Sequence, residues 1–223
     1  MLDENSLKIG NLVLSNSLLT SILITIILAL AAWLAQRNLS AGASGRRALL
    51  EGVIDALDSA IEGVVGESHR QVLPFVGTLW IFLVVANLVG LIPGFHSPTR
   101  DLSITGALAI LSFLSVHWFG VRSVGWKAYL KHYLHPNPIL LPFHLISEVS
   151  RTLALAVRLF GNMMSLEMTA VLLLMVAGFL APIPILMLHI IEALVQAYIF
   201  GVLTLVYIAG GIQTQKETLK EKT

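Results

Sequence analysis

Arg158 stands deep inside an uncharged apolar run, Leu153-Ala-Leu-Ala-Val-Arg-Leu-Phe-Gly-Asn-Met163, too far from either end of its segment to snorkel to water. At the centre of a bilayer an arginine costs about 2.5–3.5 kcal/mol on insertion scales, so it needs an anionic partner. Its own helix offers no obligatory one within a turn. The blander reading is a guanidinium satisfied by backbone carbonyls alone.

Other polar groups gather around it. Glu148, Arg151, Asn162, Ser165 and Glu167 share its segment, and His189, Glu192 and Gln196 stand on the next. On a helix, Arg151, Arg158, Asn162 and Ser165 recur at seven, four and three residues and share one face, whereas Glu167, nine residues from Arg158, points about half a turn away. His189, Glu192 and Gln196 follow i, i+3, i+7 and form one polar edge, so two polar faces can meet. His189 alone would read as a histidine bonded to a backbone carbonyl; its alignment with the other two favours a hydrated path. An intramembrane arginine flanked by separate titratable clusters is the make-up of ion-translocation machinery.

The elements that must position these residues are membrane helices. Of 223 residues, 56% are hydrophobic and 12% charged, against about a quarter charged in an ordinary soluble domain. The solvent is therefore lipid, and residues 1–223 read as a single membrane domain. A net charge of +1 without a basic, aromatic-interleaved stripe argues against nucleic acid as a partner. The absence of cysteine excludes a disulfide framework and thiolate metal sites, and neither a metal site nor a cofactor is expected. Residues 1–16 carry Asp3 and Glu4 against a lone Lys8, so they lack the positive start of a secretory signal, and no cleavage is expected.

The first span reads over 13–35, followed by a link holding Arg37, Arg46 and Arg47. Residues 48–67 differ in kind: Glu51, Asp55, Asp58 and Glu62 fall on one helical stripe beside an apolar one of Leu50, Ile54, Leu57, Ile61 and Val65. This predicts an amphipathic surface helix whose acidic face suits a protein partner better than anionic lipid; a merely solvated face is the simpler alternative. Residues 72–92 and 104–121 predict a helical hairpin. The arginines of the first link, and Arg122, Lys127 and Lys131 after the third span, place those loops inside and the N-terminus outside.

From 142 to about 180 the chain reads as helix almost without a breaker, a length of about 58 Å against a hydrocarbon core of roughly 30 Å. Either it is interrupted or it is strongly tilted, far beyond the usual angle of about 20°. Ala181-Pro-Ile-Pro184 makes a turn, residues up to 209 return, and 210–223 form a cytoplasmic tail with Lys216, Lys220 and Lys222. The expected fold is an all-α polytopic membrane protein. It has five membrane-embedded helices, the last two (142–209) a long tilted hairpin, plus one amphipathic surface helix.

The run from Arg151 to Glu167 resembles the signature segment of subunit a of F-type ATP synthases. Gln196-Ala-Tyr-Ile-Phe-Gly-Val-Leu-Thr-Leu-Val-Tyr207 resembles that family's final helix, and Asn87-Leu-Val-Gly-Leu-Ile-Pro-Gly-Phe95 the end of its second span. The resemblance covers nearly the whole chain. It implies that Arg158 is the essential arginine, with Asn162 and Gln196 as its polar neighbours. It places Glu167 and His189, and more weakly Glu192, on an access path from the outer side, and Ser147 and Glu148 near a second path from the cytoplasm.

The implied function is the stator ion channel of a rotary ATP synthase, non-catalytic itself, in which two offset half-channels couple proton or sodium movement to rotation of a c-subunit ring. The implied partners are that ring, peripheral-stalk b subunits and membrane lipid, in a bacterial plasma membrane with the C-terminus cytoplasmic. The chain departs from the commonest family pattern at Thr152, Ala154 and Leu166. Met163-Met164 and the long 122–136 loop look similar to the branch proposed to use sodium. Two rivals remain: a secondary transporter, for which no inverted repeat is visible, and an intramembrane hydrolase built on Ser165 and His189, for which no nucleophile motif is.

Overall fold

The structure, a computed structural model, describes residues 7–9, 12–38, 44–92, 95–126, 129, 141–178 and 183–220. Two short strands, β1 (Leu7–Ile9) and β2 (Leu12–Leu14), pair antiparallel. Among the described residues six long helices follow: α1 (Asn16–Asn38), α2 (Ser44–Val65), α3 (His69–Val89), α4 (Leu102–Val124), α5 (Leu141–Ala177) and α6 (Ile183–Lys220). Single 3-10 turns at Gly66–Ser68 and Pro98–Arg100 precede α3 and α4.

The first span was expected from residue 13, but Val13 lies in β2 opposite Lys8. The helix starts later because Ser15 caps it: its Oγ accepts from the Leu18 amide at 3.3 Å, satisfying a first-turn donor. Beyond that cap α1 is apolar on every side and mostly exposed, as suits lipid contact. Near its end the Arg37 guanidinium lies 4.0 Å over the Trp33 ring.

The surface helix begins at 44 rather than 48 and ends at Val65, because Gly66 adopts a left-handed φ of 64° that turns the chain into α3. Ile61 is fully buried against Val72 and Val76, while Glu51, Asp55 and Glu62 face outward. Asp58 is half-buried instead, its Oδ1 3.8 Å from His69 Nε2. The other five helices are long and apolar enough to cross a membrane.

α5 has 37 residues and α6 has 38, about 55 Å each. The tail expected from 210 is thus helical to Lys220. Ile212 is buried in a cluster with Val116 and Ile208, which carries α6 past the Gly210-Gly211 pair. Most of the 122–136 loop, Ala181 and Pro182 of the 181–184 turn, and 221–223 lie outside the described residues.

Small residues set the bundle's spacing: Ala109 of α4, Ala156 of α5, and Ala193 and Ala197 of α6 are buried in one cluster with Leu83, Leu159 and Phe200. In membranes such small contacts let helix backbones approach closely, where packing rather than the hydrophobic effect drives association.

A buried polar network fixes the segment between α3 and α4. Ser97 Oγ donates to the Ala86 carbonyl (3.0 Å) and lies 2.6 Å from the Thr99 hydroxyl, which donates to Asn87 Oδ1 (2.8 Å). Asn87 Nδ2 donates to the Ala193 carbonyl on α6 at 3.1 Å. Asn87→Leu removes the side-chain link between the Ser97–Thr99 segment and α6, a loss of two buried hydrogen bonds at about 1 kcal/mol each, and leaves Ser97 Oγ as the remaining partner of the Thr99 hydroxyl. A clear drop in the melting temperature of the purified protein is expected; an unchanged value would mean that the network contributes nothing.

Candidate functional site

α5 places its polar residues on two sides, as the helical period requires. Arg158 is exposed, flanked along the same face by the exposed small residues Ser147, Ser150, Ala154, Gly161 and Ser165. Among the described residues nothing forms a hydrogen bond or ion pair with it. One turn on, toward α6, Asn162 Nδ2 donates to Gln196 Oε1 at 2.8 Å. The expected meeting of the two polar faces therefore occurs at this pair. Gln196 is 1% exposed, and its Nε2 is a buried donor without an acceptor among the described residues.

Glu167 lies on the other side of the helix, as its half-turn offset predicts. Its Oε2 accepts from Arg100 at 2.9 Å and its Oε1 from the Ser97 amide at 3.1 Å, with His96 Nδ1 3.8 Å from Oε2. Glu167 and His189 both line an open cavity of about 630 Å³ formed by the end of α3, the segment after it, α5 and the start of α6. His189 is 2% exposed, with Nε2 buried and without a hydrogen-bond partner among the described residues. Glu192 is half-buried and not part of that lining.

Toward the other end of α5, Ser147 is exposed and Glu148 half-buried. Glu148 shares with Arg151, Ser112, Thr152 and Tyr207 the lining of a small cavity of about 10 Å³. That is room for about one water molecule. The Arg151 guanidinium lies 4.5 Å over the Tyr207 ring. The two cavities share no lining residue. Glu148 and Glu167 are separated by about 28 Å of helix, with Arg158 between them. Ser165 and His189, the pair a hydrolase would need, are turned apart: the serine is exposed on the arginine's face and the histidine faces the larger cavity.

Sequence reasoning missed Arg100 as the partner of Glu167. A signal was present. Asp directly before an apolar helix is an N-cap residue, and Asp101 Oδ1 does accept from the Ser103 amide at 2.9 Å, which leaves Arg100 to find another carboxylate. The Asn87, Ser97 and Thr99 network, and the buried hydroxyl pair of Ser112 and Thr204 at 2.8 Å, had no sequence signal beyond isolated polar residues in apolar runs.

Among the described residues, five long apolar helices, an exposed arginine on the α5–α6 hairpin without a hydrogen-bond or ion-pair partner, and two cavities lined in part by titratable side chains define a polytopic helical membrane protein. The chain belongs to the ATP synthase A chain family, whose profile matches residues 18–209. It is 59% identical to the ATP synthase subunit a of Legionella pneumophila (strain Philadelphia 1) over 210 residues, covering 94% of this chain and 91% of that one. Similar relatives are ATP synthase subunit a 1 of Hahella chejuensis, 58% identical over 95% and 90% of the two chains, and ATP synthase subunit a 2 of Pelobacter propionicus, 59% identical over 92% and 90%.

Proposed function

We propose that this chain is the stator ion-channel subunit of a rotary F-type ATP synthase, with Arg158 as the charge that meets the ion-binding carboxylates of a rotating c-subunit ring. The observation that carries this reading is an exposed guanidinium with no anionic partner among the described residues, on a helix face of small residues that a partner helix can approach closely. At about 4 Å and an effective dielectric near 20, the pair it forms with a carboxylate is worth roughly 4 kcal/mol before desolvation. That favours the ionised carboxylate, which gives up its proton or sodium ion on arrival.

Ions reach the ring by two routes that do not join, an outer one past Glu167, His189 and Glu192 and an inner one past Ser147 and Glu148. The separate cavities support this division. Asn162 and Gln196 hold the middle of α5 against α6 beside the arginine. An ion must therefore ride the ring between routes, and each charge crossing the membrane potential releases about 2.3 kcal/mol per 100 mV to rotation. Helices of about 55 Å fit a bilayer of roughly 30 Å only if the α5–α6 hairpin lies steeply inclined, wrapping the curved ring. The acidic face of α2 is a contact for other stator subunits or for loops of the ring. The chain sits in a bacterial plasma membrane with its N-terminus outside and its C-terminus cytoplasmic, performs no ATP chemistry itself and needs no metal or organic cofactor.

The chain has no cysteine, so an introduced one is unique. Ala154→Cys and Ser165→Cys, each paired with a single cysteine on the outer helix of the ring, should form disulfides in membrane vesicles. Ala193→Cys, buried in the bundle, should not. Absence of links at 154 and 165 in vesicles that contain the ring would reject this face as the ring contact.

A further inference from the structure

Glu167 is held at both oxygens, and the group holding Oε2 is a cation of the same chain. Arg100 reaches it from the 3-10 turn, 67 residues away in sequence, while the Ser97 amide takes Oε1. The seat is tight: a Cβ at Gly90 would lie 3.2 Å from Oε1. It is also partly dry, since the Glu167 side chain is 15% exposed and that of Arg100 31%. Both residues line the wall of the 630 Å³ cavity. The other titratable side chains facing this carboxylate are His96, whose Nδ1 lies 3.1 Å from the same Arg100 nitrogen, and His189 across the cavity.

We propose that Arg100 sets the apparent ion affinity of the outer route by acting through Glu167. It occupies Glu167, so that a cation arriving through the cavity must displace the guanidinium before it can use the carboxylate. The inference rests on the reading of Glu167 and His189 as part of that route. Any cation, proton or sodium, competes with Arg100 for Oε2. Arg100 therefore sets how much ion the outer side needs, and has little effect on the rate once ions are saturating. Its turn is fixed independently, because Ser97 and Thr99 are tied to α3 by their hydroxyls. Removing the guanidinium thus leaves Glu167 in place on the Ser97 amide, open to the cavity.

The test is ATP synthesis by the complete complex in sealed vesicles at fixed potential, with the outer proton or sodium concentration titrated. Arg100→Gln should lower the half-saturating concentration of the coupling ion about tenfold, the scale of a partly exposed, hydrogen-bonded charge pair, with the maximal rate changed less than about twofold. Arg100→Lys, which keeps the charge but loses the planar fork, should fall between Gln and the native residue. Glu167→Gln in the Arg100→Gln background should cancel the shift. An unchanged half-saturation for assembled Arg100→Gln overturns the proposal, and so does a fall in maximal rate alone. If Arg100→Gln does not assemble, Arg100→Lys decides: a shifted half-saturation supports the proposal, and no shift, or no assembly, makes Arg100 a structural tie and rejects it. Native vesicles in which neither ion drives synthesis would instead reject the function proposed above, a distinct outcome.

Discussion

Arg158→Ala is expected to reduce ATP-driven ion pumping and ion-driven ATP synthesis to background while leaving the protein inserted and assembled. The two halves of that expectation come from one observation. Because the guanidinium is exposed and no described residue pairs with it, its loss removes no contact on which the fold depends. In the function proposed above it is the fixed cation between the two routes, so its loss should leave ring carboxylates holding their ions as they pass. An interaction of roughly 4 kcal/mol corresponds to about a thousandfold in the occupancy it controls. Passive leak persists or rises, since nothing then bars the short cut. Arg158→Lys should restore little: an ammonium loses its proton more readily when desolvated and lacks the planar fork. Vesicles with full subunit content, assayed for pumping and for leak, check this. Coupled pumping near the native rate in the alanine variant would reject the role assigned to the arginine.

Much of the site's arrangement was legible in the sequence because helices impose a period. The nine-residue step from Arg158 to Glu167 put the carboxylate on the opposite side, where it bonds Ser97 and Arg100. The stripe of His189, Glu192 and Gln196 foretold an edge that meets α5, as it does at Asn162. Length was nearly as plain, since nothing breaks the helix from 142 until Gly178, whose left-handed φ of 83° follows its end at Ala177. What periodicity cannot give is which loop residue reaches which helix. Arg100 and Asp101 are adjacent and opposite in charge, yet one caps α4 and the other crosses to α5. Element ends were misplaced where tertiary contacts decide them: Val13 pairs in a strand, and α6 runs through two glycines because Ile212 is buried beyond them. The Asp58 stripe position proved half-buried beside His69, because α2 packs on α3 more closely than a free surface helix would.

Packing supplies the second large effect, at Gly201 on α6. The Trp80 indole of α3 occupies the space that a Cβ at this position would fill, meeting Nε1, Cδ1 and Cε2 of the ring. The indole is fixed there on two further counts. Its Nε1 donates to the Tyr198 carbonyl at 3.3 Å, and its plane lies parallel to the Tyr198 ring with centroids 6.2 Å apart. A methyl group cannot share that space, so Gly201→Ala must expel the indole, break its hydrogen bond and part α3 from α6 where Val76 and Leu205 pack. Overpacking of this kind costs about 1–3 kcal/mol, and a lost buried hydrogen bond adds to it. In the assembled protein this should appear as a melting temperature lower by several degrees and a reduced yield of subunit in membranes. Coupling per assembled complex should change little, because Arg158 and both cavities lie outside this contact. Trp80→Leu in the same chain should recover part of the loss, since a smaller side chain gives the methyl room. The two substitutions must then be strongly non-additive, as contacting residues are. Equal melting temperatures for native and Gly201→Ala protein, or additive effects with Trp80→Leu, would mean that the indole does not rest on Gly201 in the folded subunit.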